Sequence, residues 1–579
     1  MPSNALRAAA LAALTIVGLT ACGGNDQPTT SRATAFGRVE GNDDSAASGT
    51  FSWKGVPFAK APVGALRWKA PVDPDAWTAP LATKQFGNAC VQYGRIYGPG
   101  SNNKFDATIG TTLNQAVGNE DCLYLNIWRP ASGESNLPVI VFIHGGSNVS
   151  GYTADPVYDG AALAKSANAV VVTANYRLGI FGWLDLPQLK SGTNANDDSA
   201  NFAILDNIKA LQFVNANIAN FGGNPGNVTV MGQSAGAINV YALLTSPLMV
   251  AANPKLFHKA MPISGGISLA SNLPPGSIPT LNPRAVAQAQ GNALLNNLVI
   301  ADGFATDNAT ATAYVATQTP AQIATYLRAK TPATLLTTLL TKLALLGLAG
   351  SGPIPEGVVV PVDPVGSINA GNYVKVPVLA SNARDEAKLF PTFLALAPAL
   401  GGASGRLVSD STLFSTQFRY DANAAPTVTI GQWIPAQYLP VTTPITGFNA
   451  ETDLLNAIFF IASRDSVLNA LKAQQPGVWY YQFNWDKEPA PWNDIYGAAH
   501  VFDLPFVFGN FGPSLFGNVM STTANQPGRL DLSDAMMKSV GAFARNGDPN
   551  NAALGAAWPA WPAKLIFDAS LSAKTISVQ

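Results

Sequence analysis

Histidine and cysteine are scarce in this chain, with three of each among 579 residues, and their positions show no metal-ligand spacing. A dedicated metal site is therefore not expected, and a general base of the imidazole type has to be His144, His258 or His500. Charge is the second shortage. Acidic and basic residues make up 12% of the chain, 35 against 34, for a net charge of −1; that is about half the usual share. No long run of Lys or Arg occurs, which excludes a nucleic-acid partner and electrostatic attraction to acidic lipids, and no field is set up to steer a charged substrate. The surface must be covered by Ser, Thr, Asn, Gln and backbone. No internal repeat and no charged linker marks a second independent domain, and hydrophobic residues, at 47%, suffice for one large core.

The N-terminus reads as a targeting signal. Arg7 is the single charged residue before Asp26, and the apolar stretch Ala8 to Gly18 is too short for a membrane span. Leu19-Thr20-Ala21-Cys22 resembles a bacterial lipoprotein signal, which makes residues 1–21 a signal peptide and Cys22 the lipidated start of the mature chain. The alternative is an ordinary secretory signal cut near Ala21. Residues 22–35 then form a tether, and 36–579 the folded domain. The protein is expected to be exported, held at a bacterial membrane only through a lipid at Cys22, or otherwise periplasmic or secreted. Cys90 and Cys122 remain, and in an oxidising compartment such a pair reads as one disulfide, with two free buried thiols as the alternative.

The chain is organised around Met231-Gly232-Gln233-Ser234-Ala235-Gly236, which follows the strand-like run Asn227 to Val230 and precedes the apolar stretch Ala237 to Leu244. Strand, tight Gly-x-Ser-x-Gly turn and helix make a nucleophile elbow, with Ser234 as the nucleophile. Upstream, Leu137 to Ile143 reads as a central strand buried on both faces, and it ends in His144-Gly145-Gly146-Ser147-Asn148. Glycines there expose backbone N–H groups at the carboxyl edge of a sheet, where ligands of open α/β folds bind. Ala169 to Ala174 reads as a further buried strand, and Ala203 to Ala219 as an amphipathic helix. Past the elbow, the stretch Leu256 to Gly265 reads as the next strand. Helices are expected between Ser277 and Pro353, including Ala333 to Leu348 packed over the site. Val374 to Ala380 reads as a late strand leading to Asp385-Glu386, and Asp534 to Asn546 as a terminal helix capped by Ser533. An acid past a late strand is the second triad member in the order Ser, acid, His. That order leaves His500 as the base and gives His144 and His258 structural roles.

Several motifs together resemble the type B carboxylesterases, the family that includes the cholinesterases. They are Gly55-Val56-Pro57-Phe58-Ala59 with Pro62 to Trp68; Glu120-Asp121-Cys122-Leu123-Tyr124-Leu125-Asn126; the glycine loop at Gly145; the elbow; Asp385-Glu386; and Gly497-Ala498-Ala499-His500 through Phe506-Val507-Phe508-Gly509. The resemblance covers nearly the whole mature chain and implies an α/β-hydrolase fold: a large, mostly parallel sheet with helices on both faces and a helical cap. It implies a Ser234, Glu386, His500 triad, with Asp385 as the second candidate acid. It implies an oxyanion hole of Gly146, Ser147 and Ala235, a Cys90–Cys122 disulfide, structural ion pairs Arg67–Glu120 and Arg177–Asp206, and a buried Ser264 near the triad. Two departures stand out. Ser147 replaces a glycine of the oxyanion loop, and Gln233 replaces the Glu that precedes the serine in cholinesterases, which argues against cationic choline esters.

The expected function is a serine carboxylic-ester hydrolase working through an acyl-enzyme on neutral, apolar esters, small or polymeric, with no metal or organic cofactor. An amidase or peptidase would use the same triad, and a non-catalytic binding protein on this fold would be expected to lose the serine or the histidine.

Overall fold

The structure is a computed structural model that describes residues 30–390 and 408–579. Among the described residues the main sheet has eleven strands: β1 Asn42–Asp44, β2 Thr50–Pro57, β3 Tyr124–Pro130, β4 Leu137–Ile143, β5 Val170–Ala174, β6 Gly223–Gln233, β7 Lys259–Ile263, β8 Val378–Ala383, β9 Val478–Phe483, β10 Leu565–Ala569 and β11 Lys574–Val578. Their spatial order is β11-β10-β9-β8-β7-β6-β4-β5-β3-β2-β1. From β5 to β10 the neighbours are parallel, and antiparallel strands close both edges.

The helices used below are α1 Ala161–Ala167, α2 Phe202–Asn217, α3 Ala235–Thr245, α4 Arg284–Ala301, α5 Pro320–Arg328, α6 Pro332–Thr338, α7 Phe448–Asn456, α8 Ala462–Gln474 and α9 Gln526–Asn546. The central strand β4 is apolar at every position because both its faces are covered. Val139, Val141 and Ile143 of β4 pack with Ile204 and Leu211 of α2, Val240 of α3 and Val467 of α8. The alternate residues Ile140 and Phe142 pack on the other face with Leu163 of α1 and with Leu532, Met536 and Phe543 of α9. A third cluster lies in the cap, where Leu294 and Leu298 of α4, Leu327 of α5 and Leu335 and Leu336 of α6 meet Trp68, Ile180 and Phe181.

The expected mostly parallel sheet with helices on both faces is present, with four boundary corrections. Residues 31–34 are no tether: Ser31–Thr34 pairs with Gly37–Glu40, Thr30 O accepts from Trp53 Nε1 at 2.7 Å, and Ala35 N–H donates to Asn217 Oδ1 at 2.7 Å. The late strand starts at Val378, not Val374; Pro377 just before it has no N–H to give the ladder. The terminal helix starts at Gln526, because Ser533 is not a cap; it is buried mid-helix and donates to Phe506 O at 2.8 Å. The stretch expected as one helix over Ala333–Leu348 breaks into α6, a wide turn at Leu339–Leu343 and a tight turn at Ala344–Leu346, leaving Leu345 and Leu346 exposed. The signal peptide and Cys22 lie outside the described residues.

Candidate active site

At the end of β6 the chain reverses through Ser234 into α3. Ser234 sits at φ 59°, ψ −124°, a conformation that costs a residue with a Cβ of order 1–3 kcal/mol. Its neighbours make the crossing possible. A Cβ on Gly232 would fall 2.4 Å from the Gly236 carbonyl oxygen, and one on Gly236 would fall 2.1 Å from that of Ile143. Only glycine allows strand and helix this close. The Ser234 N–H donates to Ile263 O at 2.9 Å, which ties the turn to β7.

β4 pairs Ile143 with Gly232, so the loop from His144 leaves the sheet directly beside the elbow. Gly146, Ser147 and Asn148 turn through φ of 101°, 56° and 59°. Ser147 thus adopts the left-handed conformation that glycine would hold more easily. The N–H groups of Gly146 and Ser147 donate to no group among the described residues, and the N–H of Ala235, at the first position of α3, has no partner within its helix. These three flank Ser234 and are open to an oxygen bound there.

Glu386 lies three residues past β8 and is fully buried. Its Oε1 accepts from Ala383 N at 2.8 Å and from Asn382 Nδ2 at 3.0 Å, and its Oε2 meets His500 Nδ1. One carboxylate oxygen is therefore held by its own turn, and the other is aimed at the ring. Asp385, the second candidate acid, does not reach His500. It pairs with Arg384 Nη2 at 2.7 Å, accepts from Ala498 N at 3.0 Å and donates from its own N–H to Ala498 O at 2.8 Å. It joins the acid turn to the histidine loop.

His500 is buried, and the rings of Phe390 and Phe460 lie 5.0 and 5.3 Å from its own. A hydrogen bond to Glu386 keeps the proton on Nδ1 and leaves Nε2 as the lone-pair nitrogen. Ser234, His500, Gly146 and Ser147 line one cavity of about 290 Å³. Its remaining walls include Leu389, Trp433, Ile434, Phe448, Ile495 and Phe516. A second cavity of about 180 Å³ shares Ser234, Ser147 and Phe390 and adds Ser264, Gly265 and Phe460. An ester carbonyl at Ser234 would thus have a compartment for each of its two arms.

The other marked residues take structural places. His144 is buried, its Nδ1 is 2.8 Å from Gly145 O, and its ring stacks on Tyr176 at 4.6 Å; burial pulls its pKa down to about 4, so the ring is neutral. His258 Nδ1 accepts from Val228 N at 3.2 Å. Cys90 and Cys122 are disulfide-bonded. The ion pairs Arg67–Glu120 and Arg177–Asp206 are both formed, at 2.5 and 2.7 Å.

Two residues beside the dyad make contacts that sequence reasoning missed, Gln233 having been read only as a charge removed beside the nucleophile. Gln233, 1% exposed, places its Nε2 3.1 Å from His500 Nε2. Asp503 is fully buried, accepts from Tyr481 Oη at 3.0 Å through Oδ2, and has no partner for Oδ1 among the described residues. Burial, then the nearby Glu386 charge, raise its pKa to about 7. Their sequence signal was position alone, one residue before Ser234 and three after His500.

Comparison with known proteins identifies the family. The chain is 30% identical over 529 residues to the para-nitrobenzyl esterase of Bacillus subtilis (strain 168), covering 91% of this chain and 92% of that one. It is 30% identical over 533 residues to the fumonisin B1 esterase of Sphingopyxis macrogoltabida, covering 91% and 83%. Among solved structures, the Geobacillus stearothermophilus carboxylesterase EST55 superposes with a TM-score of 0.68 at 28% identity, over 95% of this chain and 98% of that one. The sequence profile described as the carboxylesterase family matches residues 28–570, and the chain belongs to that family.

Proposed function

We propose that this carboxylesterase works through Ser234, His500 and Glu386. His500 Nε2 takes the hydroxyl proton as Ser234 Oγ attacks the ester carbonyl carbon, and Glu386 holds the ring and stabilises the imidazolium. The oxygen that becomes negative lies among the N–H groups of Gly146, Ser147 and Ala235, each such donor typically contributing about 3 to 4 kcal/mol. The imidazolium then protonates the departing alcohol, and water activated by the same nitrogen releases the acid. The observation that carries this reading is the Glu386–His500 hydrogen bond in the cavity that Ser234 opens onto.

The walls of that cavity favour esters with apolar or aromatic arms. Its Arg95 is already paired with Asp410. Export by a signal peptide ending at residue 21, with a lipid on Cys22, remains part of the proposal on the sequence alone, and mass spectrometry of the mature N-terminus tests it. Catalysis is tested with nitrophenyl esters of rising acyl length and the matched anilides, comparing the parent chain with Ser234→Ala. Turnover of esters by the parent alone is expected. Equal rates on amides would move the assignment to an amidase, and equal inactivity of both chains would leave only a binding scaffold.

A further inference from the structure

His500 has two ring nitrogens, and the triad accounts for only one of them. Nδ1 is held by Glu386, so in the resting imidazole Nε2 carries a lone pair. Among the described residues the group within hydrogen-bond distance of that lone pair is the Gln233 carboxamide, and Ser234 Oγ makes no hydrogen bond to it. A lone pair accepts only from a donor, so the Gln233 N–H points at Nε2. The carboxamide is confined: Gln233 is buried, and a Cβ on Gly145 would fall 2.8 Å from its Oε1 and 2.7 Å from its carbonyl oxygen.

We propose that Gln233 is a positioning residue of the catalytic base: its carboxamide N–H caps His500 Nε2 between turnovers, and Ser234 must displace it before acylation. Attack on an ester needs the serine proton delivered to that same lone pair. Once Nε2 has taken the proton it becomes a donor facing another donor, unless the carboxamide turns to offer Oε1. A carboxylate at this place could only accept, so it would favour the imidazolium throughout. The carboxamide, by donating to the lone pair, favours the neutral ring.

The inference rests on the triad reading, and its test separates the two. The acid limb of the kcat/KM profile reports His500 in the free enzyme. Other titratable or charged groups around the ring are Glu386, in contact through Nδ1, and Asp503 on the histidine's own loop. Asp385 and Lys388 flank Glu386 on its turn, and the facing Phe390 and Phe460 carry no charge. Gln233→Glu is therefore measured in the parent and in an Asp503→Asn background. A charge partner at this distance raises the histidine pKa by about 1 to 3, and the limb is expected to move up by that amount in both backgrounds. An unmoved limb overturns the proposal, while loss of turnover in Ser234→Ala would still uphold the triad.

Gln233→Met keeps length and burial without a donor. In it, inactivation of Ser234 by a small phosphonate ester on the pH plateau is expected to quicken by about threefold to tenfold, the factor that one neutral hydrogen bond represents. An unchanged or slower rate counts against the proposal. With three histidines in the chain, the ¹⁵N signal of His500 Nε2 can be assigned directly. It should shift toward that of an unbonded ring nitrogen in Gln233→Met, and a signal identical to the parent's again overturns the cap.

Discussion

Replacing Glu386 by Gln tests the dyad most directly, because the structure says which contacts survive and which reverse. Oε1 of the new side chain can still accept from Ala383 N and Asn382 Nδ2, now at 2.8 and 3.0 Å, so the turn keeps its shape. The other terminus becomes an NH2 group aimed at His500 Nδ1. Two donors cannot face each other, so the ring must hold its proton on Nε2 and present the Nδ1 lone pair to that NH2 group. The nitrogen that should receive the serine proton is then occupied. A wrong-tautomer dyad of this kind typically lowers kcat about ten-thousand-fold, and four decades at about 1.36 kcal/mol each raise the barrier by roughly 5.5 kcal/mol. The assay is kcat on a soluble nitrophenyl ester, with near-UV circular dichroism to verify an intact fold. Asp385→Asn is the control. It loses its ion pair with Arg384 but leaves Glu386 and His500 in contact, and kcat within about tenfold of the parent is expected. If Glu386→Gln retained more than about a tenth of parental kcat, or if Asp385→Asn did the greater damage, Glu386 would not be the residue that fixes the tautomer.

Asp503 gives stability a pH dependence of definite sign. Its folded pKa is raised from 3.8 to about 7, so the stability it contributes is complete below 3.8 and is lost as pH rises through 7. Above 7 the loss reaches about 4 kcal/mol at 1.36 kcal/mol per pH unit. Asp503→Asn stays neutral and should melt about 3 °C above the parent at pH 8 but about 1 °C above it at pH 5; an equal gain at both would refute the burial argument. Cutting the Cys90–Cys122 bond with a double Cys→Ser change reopens a loop spanning 32 residues, which the chain-entropy relation values at about 3 to 4 kcal/mol. A drop of about 3 °C in Tm is expected by differential scanning fluorimetry, with kcat little changed, since neither cysteine lines the cavity containing Ser234.

What was legible in the sequence is what chain order and backbone chemistry dictate. Gly232 and Gly236 announce a crossing too close for any Cβ, and continuous apolar runs such as Leu137–Ile143 announce strands covered on both faces. Glycines after a strand announce open N–H groups at the sheet's carboxyl edge. Boundaries were less legible, because tertiary partners decide them. Ser533 looks like a helix cap in isolation, but its hydroxyl is satisfied by Phe506 O and the helix runs on from Gln526. The strands Leu565–Ala569 and Lys574–Val578 were missed because short runs with few neighbours in sequence become strands only by pairing with β9 and with each other. The leucines of Ala333–Leu348 suggest one apolar stripe; the wide turn keeps Leu339 and Leu343 in the cap core, but the tight turn at Ala344–Leu346 leaves Leu345 and Leu346 outside.

The environment of His500 was the least legible part, and the reason is physical. Which atom meets which ring nitrogen depends on four segments converging: the elbow, the acid turn, the histidine loop and the turn between α7 and α8 that supplies Phe460. A motif names the residues of each segment but not the contacts between them. Gln233 illustrates the difference. Read as sequence, it subtracts a charge from the residue before the serine; placed against His500 Nε2, the same carboxamide becomes a donor competing with Ser234 for one lone pair. Asp503, close enough to feel the charges of Glu386 and His500, is a carboxyl that burial keeps protonated up to about 7. Below about pH 7, then, the groups beside the Glu386–His500 pair are a carboxamide and a largely protonated carboxyl. An imidazole in that setting has one strong reason to become cationic and little to retain it there, as a base that must accept and return a proton in every half-reaction requires.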